Sequence, residues 1–130
     1  MILLDTNILI DGERYVLDPS ESYVASMLSR AELELGVHSA PSPAQREERQ
    51  GRLRRLDAWL TWLPFDRVAS EGYGFVAART RLTGARLRGK DALIAGQAYS
   101  LGASLLTANT ADFTPFATLL VVLAPTPRTD

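Results

Sequence analysis

Short apolar runs alternating with amphipathic helical segments constrain this chain more than any other feature. Residues 1–4, 23–28, 104–107 and 119–123 are brief, largely aliphatic and bounded by turn residues or polar breaks, and they read as buried strands. Residues 63–68 are expected to hold a further short strand. Helical patterns fill the gaps: a turn at 6–11, then 29–37, a long segment up to residue 63, then 70–82 and 90–101. Leu53, Leu56, Leu60 and Leu63 form one stripe on the long helix, which Pro64 is expected to end, and Gly102 stands where a left-handed helix terminator belongs. Ser29 and Glu32 have the spacing of a capping box. Strands alternating with helices predict an α/β domain on a mostly parallel sheet, whose ligands gather at the carboxyl ends of the strands.

A length of 130 residues fits one domain with one core, and 46% hydrophobic residues argue against wholesale disorder. The expected boundaries are a folded domain over 1–125 and a loose tail over 126–130. There is no cysteine, which removes disulfides, thiolate metal sites and cysteine nucleophiles. No apolar run reaches the ~20 residues of a membrane span, and the first apolar stretch lacks a basic leader and is broken by Asp5, so a cytoplasmic protein with no membrane partner is expected. A net charge of -1 argues against a general polyanion binder. Arginines nevertheless cluster at residues 46–55 and again at 79–90, where Arg86, Arg88 and Lys90 run into Asp91. Those three are candidates for contact with RNA phosphates.

Asp5, Glu32, Asp91 and Asp112 each lie at the edge of an apolar segment. Singly, each has an ordinary explanation: Asp5 and Asp91 as helix caps, Glu32 as part of its capping box, Asp112 as a turn residue. Gathered in one cleft they repel, by roughly 4 kcal/mol per pair at ~4 Å and an effective dielectric of ~20. Such a cluster persists if some members protonate or a cation sits among them, and oxygen ligands suit Mg²⁺ or Mn²⁺. The single histidine, His38, supplies too little for a metal-free ribonuclease and is expected at the surface. Trp59 and Trp62, read as part of the long helix, are expected to pack in the core, with a partner groove as the alternative.

Four segments in order carry a family resemblance: Met1-Ile2-Leu3-Leu4-Asp5-Thr6-Asn7, Ser29-Arg30-Ala31-Glu32-Leu33 with Gly36, Asp91-Ala92-Leu93-Ile94-Ala95, and Thr107-Ala108-Asn109-Thr110-Ala111-Asp112-Phe113. Together they resemble the PIN domain, and within it the VapC toxins of type II toxin–antitoxin systems. The resemblance implies a three-layer sandwich whose central parallel sheet has about five strands in the order 3-2-1-4-5, with helices on both faces. It implies a Mg²⁺- or Mn²⁺-dependent endoribonuclease that cleaves cellular RNA, tRNA foremost, and inhibits translation. Asp5, Glu32, Asp91 and Asp112 would be its catalytic and metal-binding acids, with Thr107 and Asn109 in support. It also implies a cognate VapB-type antitoxin, a homodimer and a toxin–antitoxin hetero-oligomer. Ala108 departs from the basic residue that many relatives carry at that position. The alternatives are a PIN-like domain that binds RNA without cleaving it, and an acid-cluster DNA nuclease or phosphatase. Against a phosphatase, Asp5-Thr6-Asn7 lacks the second aspartate of an Asp-x-Asp motif.

Overall fold

The computed structural model describes residues 1–129. Its main sheet has five parallel strands: β1 (Ile2–Leu4), β3 (Tyr23–Ser26), β4 (Thr61–Leu63), β5 (Ser104–Leu106) and β6 (Val122–Leu123). They lie side by side as β4-β3-β1-β5-β6, which is 3-2-1-4-5 when these five are counted along the chain, as expected. The strand order turns at β1, which sits between β3 and β5 with Leu4 opposite both Ala25 and Leu106. A reversal of this kind opens a crevice beyond the carboxyl ends of the central strands.

Successive residues of a strand face opposite sides of a sheet, and β1 divides the core accordingly. Ile2 and Leu4 pack on one side with α1 (Thr6–Ile10), α2 (Met27–His38) and α3 (Pro43–Trp59), through Ile8, Leu33, Val37 and Leu53. Leu3 packs on the other side with α4 (Arg67–Leu82) and α5 (Gly89–Leu101), through Val76, Ala92, Ile94 and Ala95. The result is the expected α/β sandwich. The α4–α5 crossing is close: a Cβ on Gly72 would stand 2.4 Å from the Gly96 carbonyl oxygen, and one on Gly96 would stand 2.4 Å from the Tyr73 Cα. These two glycines let α5, which carries Asp91, lie directly on α4. Gly102 ends α5 with φ at 62°, in the left-handed region.

Several element boundaries differ from the sequence-based expectation. Strand β3 ends at Ser26, and Ser26 caps α2, its hydroxyl accepting from the Leu28 N–H at 3.0 Å. Ser29 lies inside the helix and is buried, so Ser29 and Glu32 form no capping box. Helix α3 stops at Trp59, and Thr61, Trp62 and Leu63 pair with β3 instead. Leucines 53, 56, 60 and 63 continue one apolar stripe across that change, while Thr61 and Trp62 are residues that favour strands. Trp62 is therefore on a strand, partly buried against the core, and Trp59 at the helix end is 53% exposed. The Phe116 carbonyl accepts from the N–H groups of Leu119 and Leu120, which delays the last sheet strand to Val122.

The expected loose tail is also corrected over residues 126–129. Thr126–Pro127 (β7) pairs antiparallel with Tyr15–Val16 (β2). Arg128 anchors the pairing: its backbone N–H donates to the Arg14 carbonyl at 2.7 Å, and its guanidinium donates to the carbonyls of Glu13 and Tyr15. Asp130 lies outside the described residues. Among them, no helix is long and apolar enough to cross a membrane.

Candidate active site

Asp5 follows β1 immediately and Thr107 follows β5 immediately, so strand pairing brings the two together. The Asp5 N–H donates to the Leu106 carbonyl at 2.9 Å, and the Thr107 hydroxyl donates to Asp5 Oδ2 at 2.9 Å. Asp5 Oδ1 accepts from the Thr6 N–H at 2.8 Å and so caps α1, while Asn7 Nδ2 donates to Oδ2 at 3.2 Å. With only 5% of its surface exposed, Asp5 needs these donors, because an unpaired buried carboxylate is costly.

The other acids come from separate elements. Glu32 projects from α2, Asp91 from the first turn of α5, and Asp112 from a 3-10 helix at Thr110–Phe116. All four carboxylates line one cleft of about 390 Å³, together with Thr6, Asn7 and Asn109. It lies beyond the carboxyl ends of β1 and β5, where the reversal of strand order opens the sheet.

Burial, and then the negative charges of Asp5 and Asp112, push the Asp91 carboxyl above its ordinary 3.8, while Arg88 and Lys90 oppose the shift. Asp91 has no hydrogen-bond or ion-pair partner among the described residues. Lys90 Nζ donates to Glu32 Oε2, and an Arg88 guanidinium nitrogen stands 3.5 Å from Asp112 Oδ2. Among the described residues, no three acidic or histidine side chains already converge as metal ligands. The donor chemistry does fit a hard divalent cation: every ligand atom on offer is an oxygen, and Asp91 is destabilised by two neighbouring carboxylates.

Of the supporting residues, Thr107 acts through its side chain, as above, whereas Asn109 donates its backbone N–H to the Thr107 hydroxyl at 3.1 Å and lines the cleft. Arg88 and Lys90 stand at the cleft wall. Arg86 lies outside it, in an adjoining depression that Arg88 and Asp112 share. Glu34 faces away, near Arg30 at 3.8 Å, and His38 is exposed at the end of α2.

Two further residues, Thr6 and Asn7, hold the site together without having stood out in the sequence. The Thr6 hydroxyl donates to Glu32 Oε1 at 3.1 Å and is hydrogen-bonded to the Ser29 hydroxyl at 2.9 Å, tying α1 to α2. Asn7 bridges the Asp5 and Thr107 side chains through Nδ2 and accepts from the Ala108 N–H at 3.0 Å through Oδ1. The position where many relatives carry a basic side chain thus contributes a backbone donor here. The signal available in the sequence was the run of short polar residues after the strand-ending Asp5, which have little reason to recur there except as hydrogen-bonding partners.

Residues 2–117 match the PIN domain family, and the chain belongs to that family. Solved structures match it over nearly its whole length. VapBC2 from Rickettsia felis, bound to a DNA fragment from its promoter, superposes with a TM-score of 0.79 at 23% identity, covering 96% of this chain and 99% of the other. VapBC-5 from Mycobacterium tuberculosis, of the VapBC family of toxin-antitoxin systems, gives 0.78 at 25% identity, covering 95% and 96%. FitAcB from Neisseria gonorrhoeae gives 0.77 at 25% identity, with the same coverage. The likeness to VapC-type PIN domains expected from the four motifs is thereby borne out. No curated protein sequence matches significantly.

Proposed function

We propose that this PIN domain is the toxin of a type II toxin–antitoxin pair and a Mg²⁺- or Mn²⁺-dependent endoribonuclease. It cuts cellular RNA, tRNA foremost, arrests translation and growth, and is neutralised by a VapB-type antitoxin. The observation that carries this reading is the meeting of Asp5, Glu32, Asp91 and Asp112 in one cleft at the carboxyl edge of the sheet.

Asp5, Asp91 and Asp112 are the residues that would hold the metal, with Glu32 beside them in the same cleft. A divalent cation bound there supplies a Lewis acid for the scissile phosphate and acidifies the attacking water. The chain's own residues do the rest. Asp5 is held in one orientation by Thr6, Asn7 and Thr107, so it has no freedom to turn away as charge develops. Asp91, with no side-chain partner of its own among the described residues, lines the cleft beside Asp5 and Asp112 and is the carboxylate free to orient the attacking water. Arg88 and Lys90 attract the RNA backbone to the cleft mouth. The products are a 5′-phosphate and a 3′-hydroxyl.

The antitoxin has a seat on the other side of α1. A groove of about 460 Å³ is floored by Ile8, Leu9, Leu17 and Leu56 and edged by the exposed Trp59. Arg52, Arg55 and Arg128 lie along it. An aliphatic floor with a cationic rim fits an amphipathic segment carrying acidic residues better than it fits bare RNA. A homodimer and a toxin–antitoxin assembly in the cytoplasm complete the reading.

Expression in a bacterial host tests it. Growth arrest with discrete RNA fragments is expected from the wild type, and its relief by Asp5→Asn or by the cognate antitoxin. Unimpeded growth in cells that accumulate folded, antitoxin-free wild-type protein would contradict it.

A further inference from the structure

The four carboxylates of the cleft are not equally available. Asp5 is engaged by neutral donors only, and Asp91 by none. Asp112 meets Arg88 at 3.5 Å, but that arginine side chain is 74% exposed and otherwise unanchored. Glu32 is held on both oxygens, by the Thr6 hydroxyl at 3.1 Å on one and by Lys90 Nζ on the other. Thr6 is itself fixed to the buried Ser29, so the Glu32 end of the pair is anchored to two helices. The Lys90 side chain, from the first turn of α5, is 55% exposed and has Glu32 as its partner. The Lys90–Glu32 pair therefore spans the cleft from α5 to α2 and is fixed at its Glu32 end, whereas Arg88–Asp112 is a longer contact between side chains with no other hold among the described residues.

Charge balance follows from this pairing. Four carboxylates facing Arg88 and Lys90 leave the cleft with a formal charge of -2, which one divalent cation neutralises. A second divalent cation would have to displace the Lys90 ammonium from Glu32 or lie against it, and like charges at contact repel strongly in a partly buried site. We propose that Lys90, paired with Glu32, stands in the place of a second cation, so that the cleft takes one divalent metal ion rather than two. Asp5, Asp91 and Asp112 are then left for that ion, and the ammonium and the metal together face an incoming phosphodiester. The inference rests on the metal-dependent reading above and adds its stoichiometry and the residue that sets it.

Mn²⁺ titration of the purified, antitoxin-free full chain tests this without any activity readout, by counting bound ions with electron paramagnetic resonance and calorimetry. One Mn²⁺ per chain is expected for the wild type and for Lys90→Arg, which keeps the positive charge. Two are expected for Lys90→Met, whose exposed position in the first turn of a helix puts no core contact at risk. Asp5→Asn, checked for folding by circular dichroism, is expected to weaken binding at least tenfold and so locates the ion in the cleft. Two ions on the wild type, or one on a folded Lys90→Met, would overturn the role of Lys90 and leave the metal-dependent nuclease standing. No Mn²⁺ bound to the folded wild type would overturn that nuclease reading itself.

Discussion

The Thr107 hydroxyl donates to Asp5 Oδ2 at 2.9 Å, across a sequence separation of 102 residues and directly beyond the paired ends of β5 and β1. This bond locks the most buried acid of the cleft to the neighbouring strand. Thr107→Val keeps the shape of the side chain and removes the donor. Leaving a buried charged acceptor short of a partner costs about 1–3 kcal/mol. The variant is expected to lose that much unfolding free energy, to unfold at lower denaturant concentration, and to cleave RNA more slowly. Wild-type stability in Thr107→Val would remove the bond from any structural role.

Asp91 gives the metal-free protein a pH dependence of definite sign. Its carboxyl is raised in the folded state, so between pH 3.8 and the raised native value the folded state holds the proton more tightly than the unfolded chain. Stability from this group is present below pH 3.8 and is lost as pH rises through that window. Asp91→Asn has no such loss. Melting temperatures of the two proteins in a chelator are expected to diverge in favour of the variant as pH rises, and added Mn²⁺ is expected to stabilise the wild type alone. Parallel pH profiles would contradict the crowding of charge at Asp91.

Gly96→Ala tests how α5 is positioned. The new methyl would stand 2.4 Å from the Tyr73 Cα and 2.7 Å from its nitrogen, both backbone atoms that cannot swing aside. Forcing α4 and α5 apart is expected to cost about 1–3 kcal/mol of stability by overpacking. Asp91 rides on α5, so metal affinity is expected to fall as well. A denaturation curve indistinguishable from wild type would show that the helices separate freely.

Much of this was legible in the sequence. Asp5, Asp91 and Asp112 stand out because the apolar segments that flank them are short and end sharply, and the order of the four motifs carried the family. What could not be read are contacts between polar residues distant in the chain. Glu32 and Lys90 are 58 positions apart, Thr6 and Ser29 are 23 apart, and nothing local marks them as partners. Helix α3 ran on into β4 in the sequence because an apolar stripe serves a helix face and a buried strand equally well. The tail was misjudged because two paired residues, Thr126 and Pro127, leave no periodicity, and Arg128 acts there through main-chain carbonyls.

Trp59 lines the groove proposed for the antitoxin and not the acidic cleft. It is 53% exposed and makes little of the core, so Trp59→Ala is expected to leave stability within about 0.5–1 kcal/mol and RNA cleavage unchanged. Loss of an aromatic anchor at an interface costs about 2 kcal/mol or more, roughly 30-fold in affinity. Titration calorimetry with the cognate antitoxin checks it. Undiminished affinity would move the antitoxin to another surface.

On the proposed function, the acids of the cleft form a metal-dependent RNA-cleaving centre. The most direct test is incubation of purified, antitoxin-free protein with total cellular RNA, in Mg²⁺ or Mn²⁺ and in EDTA, beside folded Asp5→Asn. The expected result is discrete fragments with 5′-phosphates that require both the metal and Asp5. Cleavage that persists in EDTA or in Asp5→Asn, or intact RNA with metal present, would contradict it.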